Sequence, residues 1–244
     1  MERHNMNQAG RGSDLIEPVV ARSGVMLEAA RHHGRYDFRC FRMGDVIREL
    51  DQRFDNRVAR MLRRNWRVRF QNRPIAAAVQ LGVASMEELL SLLRWEDAVA
   101  DNLVVNTGLD EYLTRLWKAS GYTAQHYLGL IDGTTPSIAA ADTMASHAGW
   151  TEFTEYQPQS SDQRHDLTAA LGSVSSQSLT TSAPLEFVVT SDGLDVNGAF
   201  STTGDSLGGA AGTLITAGTF SQGNKAVDTD DVLSVDVTFT QAAA

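Results

Sequence analysis

Two hydrophobic periods run along this chain and change over near its middle. From Asp45 the apolar positions Val46, Ile47, Leu50, Phe54, Val58, Met61 and Leu62 recur every three or four residues, with Arg48, Arg53, Arg57, Arg60, Arg63 and Arg64 distributed around the rest. That spacing predicts an amphipathic helix over about 45–65. Ser85-Met-Glu-Glu88 has the form of a capping box, in which hydroxyl and carboxylate each satisfy an orphan N–H. It opens a second expected helix whose apolar face is Leu89, Leu90, Leu92, Leu93 and Trp95. A third is expected from Leu109, Leu113, Leu116 and Trp117 on one face, a Glu111–Arg115 pair one turn apart, and Gly121 as its stop. Period two shows at Tyr36, Phe38 and Cys40, a short strand expected to close at a Met43-Gly44 turn, and an apolar run bounded by Asn102 and Asn106 reads as another.

After about Leu167 helical spacing disappears. The stretches LTAALGSV, SLTTSAPLEFVVT, VNGAFSTT, GTLITAGTF and DVLSVDVTFT are short, β-branched and bounded by Gly, Ser, Asn or Asp, which predicts antiparallel strands in a sandwich. Between the halves lies Tyr127–Tyr156: a strand over Tyr127–Ile131, a turn at Asp132-Gly133, breakers at Pro136 and Gly149, then Trp150, Phe153 and Tyr156 within seven residues. A segment with three aromatics and almost no basic charge is expected to be pinned against a sheet or a neighbouring subunit. The fold class read from these patterns is α+β, a helical, Arg-rich N-terminal half followed by an antiparallel β-sandwich. The expected divisions are an extended arm over 1–34, poor in large apolar groups, a mixed hairpin and helical attachment module over 35–106, and a sandwich with one leading helix over 107–244.

Charge sharpens that division. The net charge of −9 conceals an asymmetry: up to Asn106 there are 17 Lys+Arg against 14 Asp+Glu, and afterwards 4 against 16, so +3 and −12. Such a split points to two modules or to head-to-tail packing between copies. The single cysteine, Cys40, excludes an internal disulfide or a thiolate metal site. No apolar run approaches the roughly 20 residues of a membrane span, and the N-terminus has no apolar core of a secretory signal, so the expectation is a protein made in the cytoplasm.

Candidate chemistry is sparse. The stretch Ile75–Ser85 has the small-residue and Gly82 spacing of a helix-turn-helix corner, but the helix that would enter the groove, SMEELLSLLRWEDAVAD, carries five acids and one Arg, the wrong sign for phosphate. The Arg cluster over Arg53–Arg73, with Trp66 and Phe70 in it, is a better electrostatic surface for nucleic acid, an acidic subunit or solvent. His126, His147 and His165 lack ligand spacing, and adjacent His32 and His33 point apart. Asp228, Asp230 and Asp231 offer alternate carboxylates but not the Gly and distal Glu of an EF-hand loop. There is no nucleophile elbow, phosphate loop or dinucleotide fingerprint, and Cys40 reads as a small buried hydrophobe. No enzyme activity, metal or cofactor is expected.

Four pieces of the chain, Asn102–Gly108 (NLVVNTG), Tyr127–Ile131, AADTMASHAGWTEFTEY over Ala140–Tyr156, and the ending GGAAGTLITAGTFSQGNKAVDTDDVLSVDVTFTQAAA, resemble a family of tailed-bacteriophage virion structural proteins, tail-fibre-like or head-decoration-like. The resemblance covers about 101–244, and DTMASHAGWTE is its specific string. Members have a short hairpin ending in a Trp-acid step ahead of the NLVVN run; here Arg94-Trp95-Glu96-Asp97 stands there, inside the expected second helix. The resemblance implies a structural component of a phage particle, a capsid decoration, neck or collar, or tail-fibre attachment protein located in the virion and made in the host cytoplasm. Its implied partners are other copies of itself and capsid, portal or tail proteins, without nucleic acid or membrane. Trp150, Phe153 and Tyr156 are then the expected docking anchors, with Arg57, Arg60, Arg63 and Arg64 as the attachment charges. Two alternatives stay open: a receptor- or glycan-binding fibre domain using exposed aromatics, and a nucleic-acid-binding protein using the basic helix 45–73.

Overall fold

The computed structural model describes residues 32–53, 74–80, 84–100, 102–118, 125–133, 135–158, 160 and 162–241. In chain order the strands are β1 (His32–Arg42), β2 (Leu93–Val99), β3 (Leu103–Val104), β4 (Tyr127–Asp132), β5 (Glu152–Phe153), β6 (His165–Asp166), β7 (Ser178–Thr180), β8 (Leu185–Val188), β9 (Leu194–Thr202), β10 (Leu214–Thr219), β11 (Lys225–Val227) and β12 (Asp231–Gln241). The helices are α1 (Met43–Arg53), α2 (Pro74–Gln80), α3 (Met86–Leu90), α4 (Asn106–Lys118) and the single turn α5 (Leu167–Ala170). The described part is therefore mostly β, in antiparallel sheets with few helices.

β1 pairs along its whole length with β12, from His32 opposite Gln241 to Arg42 opposite Asp231. β2 flanks β1, and β7 and β8 share the other edge of β12. The second sheet runs β3-β10-β9-β4-β5, with β11 beside β9 and β6 beside β4. Alternation places Tyr36, Phe38 and Cys40 of β1 and Leu233, Val235 and Val237 of β12 against Leu128 and Leu130 of β4 and Val196 and Ala199 of β9, in one core shared by the two sheets. Burying each such large side chain stabilises the fold by roughly 1.5–3 kcal/mol. Between the sheets the Thr216 hydroxyl joins Tyr36 Oη (2.6 Å), Ser201 Oγ (2.7 Å) and Asn102 Nδ2 (3.0 Å). The Asn102 amide nitrogen can only donate, so one Thr216 lone pair is committed to it and the other hydroxyls order themselves around that bond.

Each sheet has a covered outer face. On the first, Met43, Val46, Ile75, Ala84 and Leu89 of the α1–α3 region pack over Phe41, Val188 and Val232. Pro74 opens α2 where its missing N–H costs nothing, and the next two amides, Ile75 and Ala76, donate to the two carboxylate oxygens of buried Glu186 on β8, both at 2.7 Å. On the second, Met144 and Trp150 from the segment before β5 pack over Ile131, Phe200, Leu214 and Ala217. Gly129 makes room here, since a Cβ at that position would meet the Phe200 ring.

Several expectations need correction. Among the described residues the N-terminal half is not a helical module: beside α1, α2 and α3 it supplies β1 and β2, strands of the sheet that contains β12, and His32–Gln241 is one compact unit. Residues 1–31 of the expected arm, and 54–65 of the first expected helix, lie outside the described residues. Met43-Gly44 begins α1 instead of making a turn. The Ser85 capping box forms as read, with the Ser85 amide donating to Glu88 Oε2 (2.8 Å) and the Glu88 amide to Ser85 Oγ (3.2 Å). Its helix ends at Leu90, however, and Leu93–Val99 turns into β2 because β1 offers it a row of backbone partners. The helix expected to enter a groove is therefore only Met86–Leu90, and residues 81–83 of the expected corner lie outside the described residues. LTAALGSV opens as α5 because Asp166 Oδ1 caps the Ala169 amide (2.9 Å).

Candidate interaction surface

Trp150, Phe153 and Tyr156 do come together against the sheets, but inside the molecule. Trp150 is 4% exposed; its indole nitrogen donates to Asp142 Oδ2 (3.0 Å), the His147 ring stacks on it at 4.0 Å, and Phe200 lies 5.1 Å away. Phe153 sits opposite Leu130 across β4 and β5. Tyr156 meets Phe187 edge-on at 5.0 Å, and the backbone beside it ties to the other sheet through the Gln157 amide to Val188 O (2.8 Å). All three are buried in the chain's own fold, which corrects their assignment as docking anchors and removes Trp150 as an exposed platform for a sugar. Burial pushes the Tyr156 hydroxyl well above its usual pKa, with Glu152 adding to the rise and Arg164 opposing it. That hydroxyl has no hydrogen-bond partner. Arg57, Arg60, Arg63 and Arg64 lie outside the described residues.

The residue that sequence reasoning missed is Arg164. It is fully buried, grips both oxygens of Glu152 at 2.7 Å, and donates to the Gly204 and Gly209 carbonyls at 2.8 Å each. Its guanidinium lies 5.3 Å from the Phe200 ring centre. Glu152 also accepts the Gly208 amide (2.9 Å), so one ion pair fixes the loop between β9 and β10. The available signal was its isolation, one of four cations after Asn106.

The other polar candidates are occupied by one another. Asp228 and Asp231, two of the three carboxylates considered for calcium with Asp230, face Arg42 and Arg94: Arg42 reaches Asp228 at 2.7 Å, and Arg94 bonds Asp231 and approaches Asp228 at 3.1 Å. Burial holds Asp231 above the usual carboxylate range in spite of the Asp228 amide and the two arginines. Cys40 lies buried beneath this cluster, and burial with the Asp231 charge raises its pKa. An open polar cleft of about 330 Å³ on the first sheet is lined by Glu96 and Gln222 and by charges that are paired, Arg35 with Asp37 (2.7 Å), Arg39 with Asp236 (2.9 Å) and Asp97 with Lys225 (3.0 Å). The histidines are dispersed. Arg115 Nη1 lies 3.2 Å from His126 Nε2, and burial, with the Arg115 charge, lowers the His126 pKa. Among the described residues no cluster of His, Cys, Asp or Glu has the form of a metal site.

What remains open is the solvent side of α4. The helix is pressed onto β10, where a Cβ on Gly108 would collide with the Ile215 carbonyl and Thr107 Oγ1 donates to Leu214 O (2.8 Å). Leu109 and Leu113, placed by their spacing on one face of the helix, are 44% and 58% exposed, and Leu103 just before the helix is 38% exposed. A groove of about 280 Å³ runs along the neighbouring strip of the helix past Asp110, Glu111 and Thr114. No family model, curated protein or solved structure matches this chain.

Proposed function

We propose that this chain is a non-catalytic structural component of a tailed-phage particle, a decoration, neck or fibre-attachment protein that works by protein–protein contact. The observation that carries the assembly part of this reading is the exposed Leu109–Leu113 strip on a helix that Gly108 locks in place: adjacent leucines half in water on a rigid element are what a contact surface needs. The paired state of the polar clusters favours the same reading, because a catalytic group has to be free to meet a substrate. The particle part rests on the resemblance of the stretch 101–244. Mass spectrometry of gradient-purified particles from the phage that encodes the chain tests it. The expected result is the intact chain at a fixed ratio to the major capsid or tail protein; a chain found only in the soluble lysate would refute the assignment.

A further inference from the structure

Resting on that assembly reading, the α4 surface can be matched to a partner through its own charges. At about 100° per residue, Leu109 and Leu113 fall on one side of the solvent face of the helix, and Asp110, Thr114 and Lys118 on the other. The charged side borders the groove lined by Asp110, Glu111, Thr114, Thr143 and Thr213. Of the four cations after Asn106, Arg115 is bound to Glu111, Arg164 to Glu152 and Lys225 to Asp97. The fourth, Lys118, is exposed at the end of α4 and has no ion pair among the described residues, and the same holds for exposed Asp110 two turns earlier. One helix face thus carries an unpaired acid, an unpaired base and, beside them, an apolar strip, which is what a surface complementary to itself requires. We infer that α4 docks against α4 of a second copy of this chain, the two helices antiparallel about a two-fold axis.

The spacing of the charges sets the position of that axis. Asp110 and Lys118 stand four residues to either side of Thr114, so an axis crossing at Thr114 brings Asp110 of each copy level with the partner's Lys118. Such an axis also turns each side of the helix toward the same side of its mate. The apolar sides then meet, with the two Leu113 positions only about 3 Å apart along the helix, and each Lys118 ammonium reaches the other copy's Asp110 next to the threonine hydroxyls of the groove. The antiparallel arrangement sets each positive helix start beside a negative helix end. A parallel pair would put the two carboxylates at one level and the two ammoniums at another, leaving both kinds unmatched. α4 is only about 20 Å long, so the contact lies at the low end of specific interfaces, below about 1,200 Å² in total. It forms reversibly and strengthens where copies are held close together.

The test uses the full chain. Its one cysteine, Cys40, is buried, so Leu113→Cys supplies a single accessible thiol, and only a two-fold contact brings that position against itself. Val174→Cys, at an apolar position 72% exposed between α5 and β7, measures chance collision. Under copper-phenanthroline oxidation the expected result is a disulfide-linked dimer from Leu113→Cys at least roughly ten-fold faster than from Val174→Cys, because docking raises the effective thiol concentration. Sedimentation velocity over a concentration series reads the charges. Asp110→Lys and Lys118→Glu each set like charges opposite one another and are expected to weaken association about three- to ten-fold, and the double variant to return within about two-fold of wild type. Equal disulfide rates at positions 113 and 174, or a double variant no better than the singles at wild-type melting temperature, would overturn the inference; where the charge variants melt lower, the disulfide rates alone decide. Particle incorporation is scored in parallel. A chain present in particles without the Leu113→Cys dimer refutes the docking inference alone, and a dimer from a chain absent from particles refutes the particle assignment alone.

Discussion

The two sheets are both covered on their outer faces, and the covers are held in different ways. Over the second sheet the cover is irregular chain fixed by fully interior groups: Trp150 beneath Asp142 and His147, and Arg164 with Glu152 at the base of the β9–β10 loop. Over the first sheet the cover is regular, three short helices, yet a single carboxylate, Glu186, caps α2 and a modest apolar patch holds the rest. Regular secondary structure is thus no guide to which cover is integral. What differs is the partner of the buried charge: Arg164 is matched by the opposite charge of Glu152, whereas the equally buried Glu186 is held by the two backbone amides of a short helix, Ile75 and Ala76.

Arg164→Met is the severest test of that contrast. It strands the Glu152 charge and leaves the Gly204 and Gly209 carbonyls without their donor, so a loss of about 3–5 kcal/mol is expected in urea unfolding, with partial recovery on adding Glu152→Gln. A loss below about 1 kcal/mol would mean the loop cover is as peripheral as the helices. Glu186→Gln is expected to cost about 1–3 kcal/mol and to act locally, with the Ile75 and Ala76 amides exchanging hydrogen faster while those of β9 and β12 keep their protection. Uniform loss of protection would erase the distinction. Tyr156→Phe works in the opposite direction: its hydroxyl is buried without a partner, so removing it is expected to stabilise the protein by about 1 kcal/mol, seen as a higher melting temperature.

The smallest effect concerns the α4 junction. The folded-state pKa of His126 is lowered, chiefly by burial and then by Arg115, so the fold favours the neutral ring. Its contribution is complete above the unfolded value of about 6.5 and declines as pH falls from there through the folded value, by at most about 1.4 kcal/mol per pH unit. In His126→Gln that part of the pH dependence should vanish, leaving a shallower fall in stability below about pH 6.5 than wild type.

Much of the second sheet, and β12 of the first, was legible in the sequence, because β4, β9, β10 and β12 are bounded by Gly, Asp or Asn and their apolar groups show in short β-branched runs. The Ser85 cap was equally plain, since two side chains three residues apart suffice to define it. Three things were not. The run Leu89–Leu93 fits either period, and only the edge of β1, contributed by distant chain, makes Leu93–Val99 a strand. A cluster of aromatics such as Trp150, Phe153 and Tyr156 has the same appearance whether it fills its own core or a partner's. The Leu109 and Leu113 spacing likewise predicts an apolar face without saying what covers it, and here the helix approaches β10 at Gly108 while both leucines are exposed.

Sedimentation velocity of the full chain beside Leu109→Lys/Leu113→Lys tests the central claim most directly, since both positions are exposed and the change should leave stability within about 0.5 kcal/mol of wild type. The account predicts a wild-type chain that associates as its concentration rises and a variant that stays monomeric with the same melting curve. A wild-type chain that remains a monomer throughout, or a variant that associates as well as wild type, would contradict it.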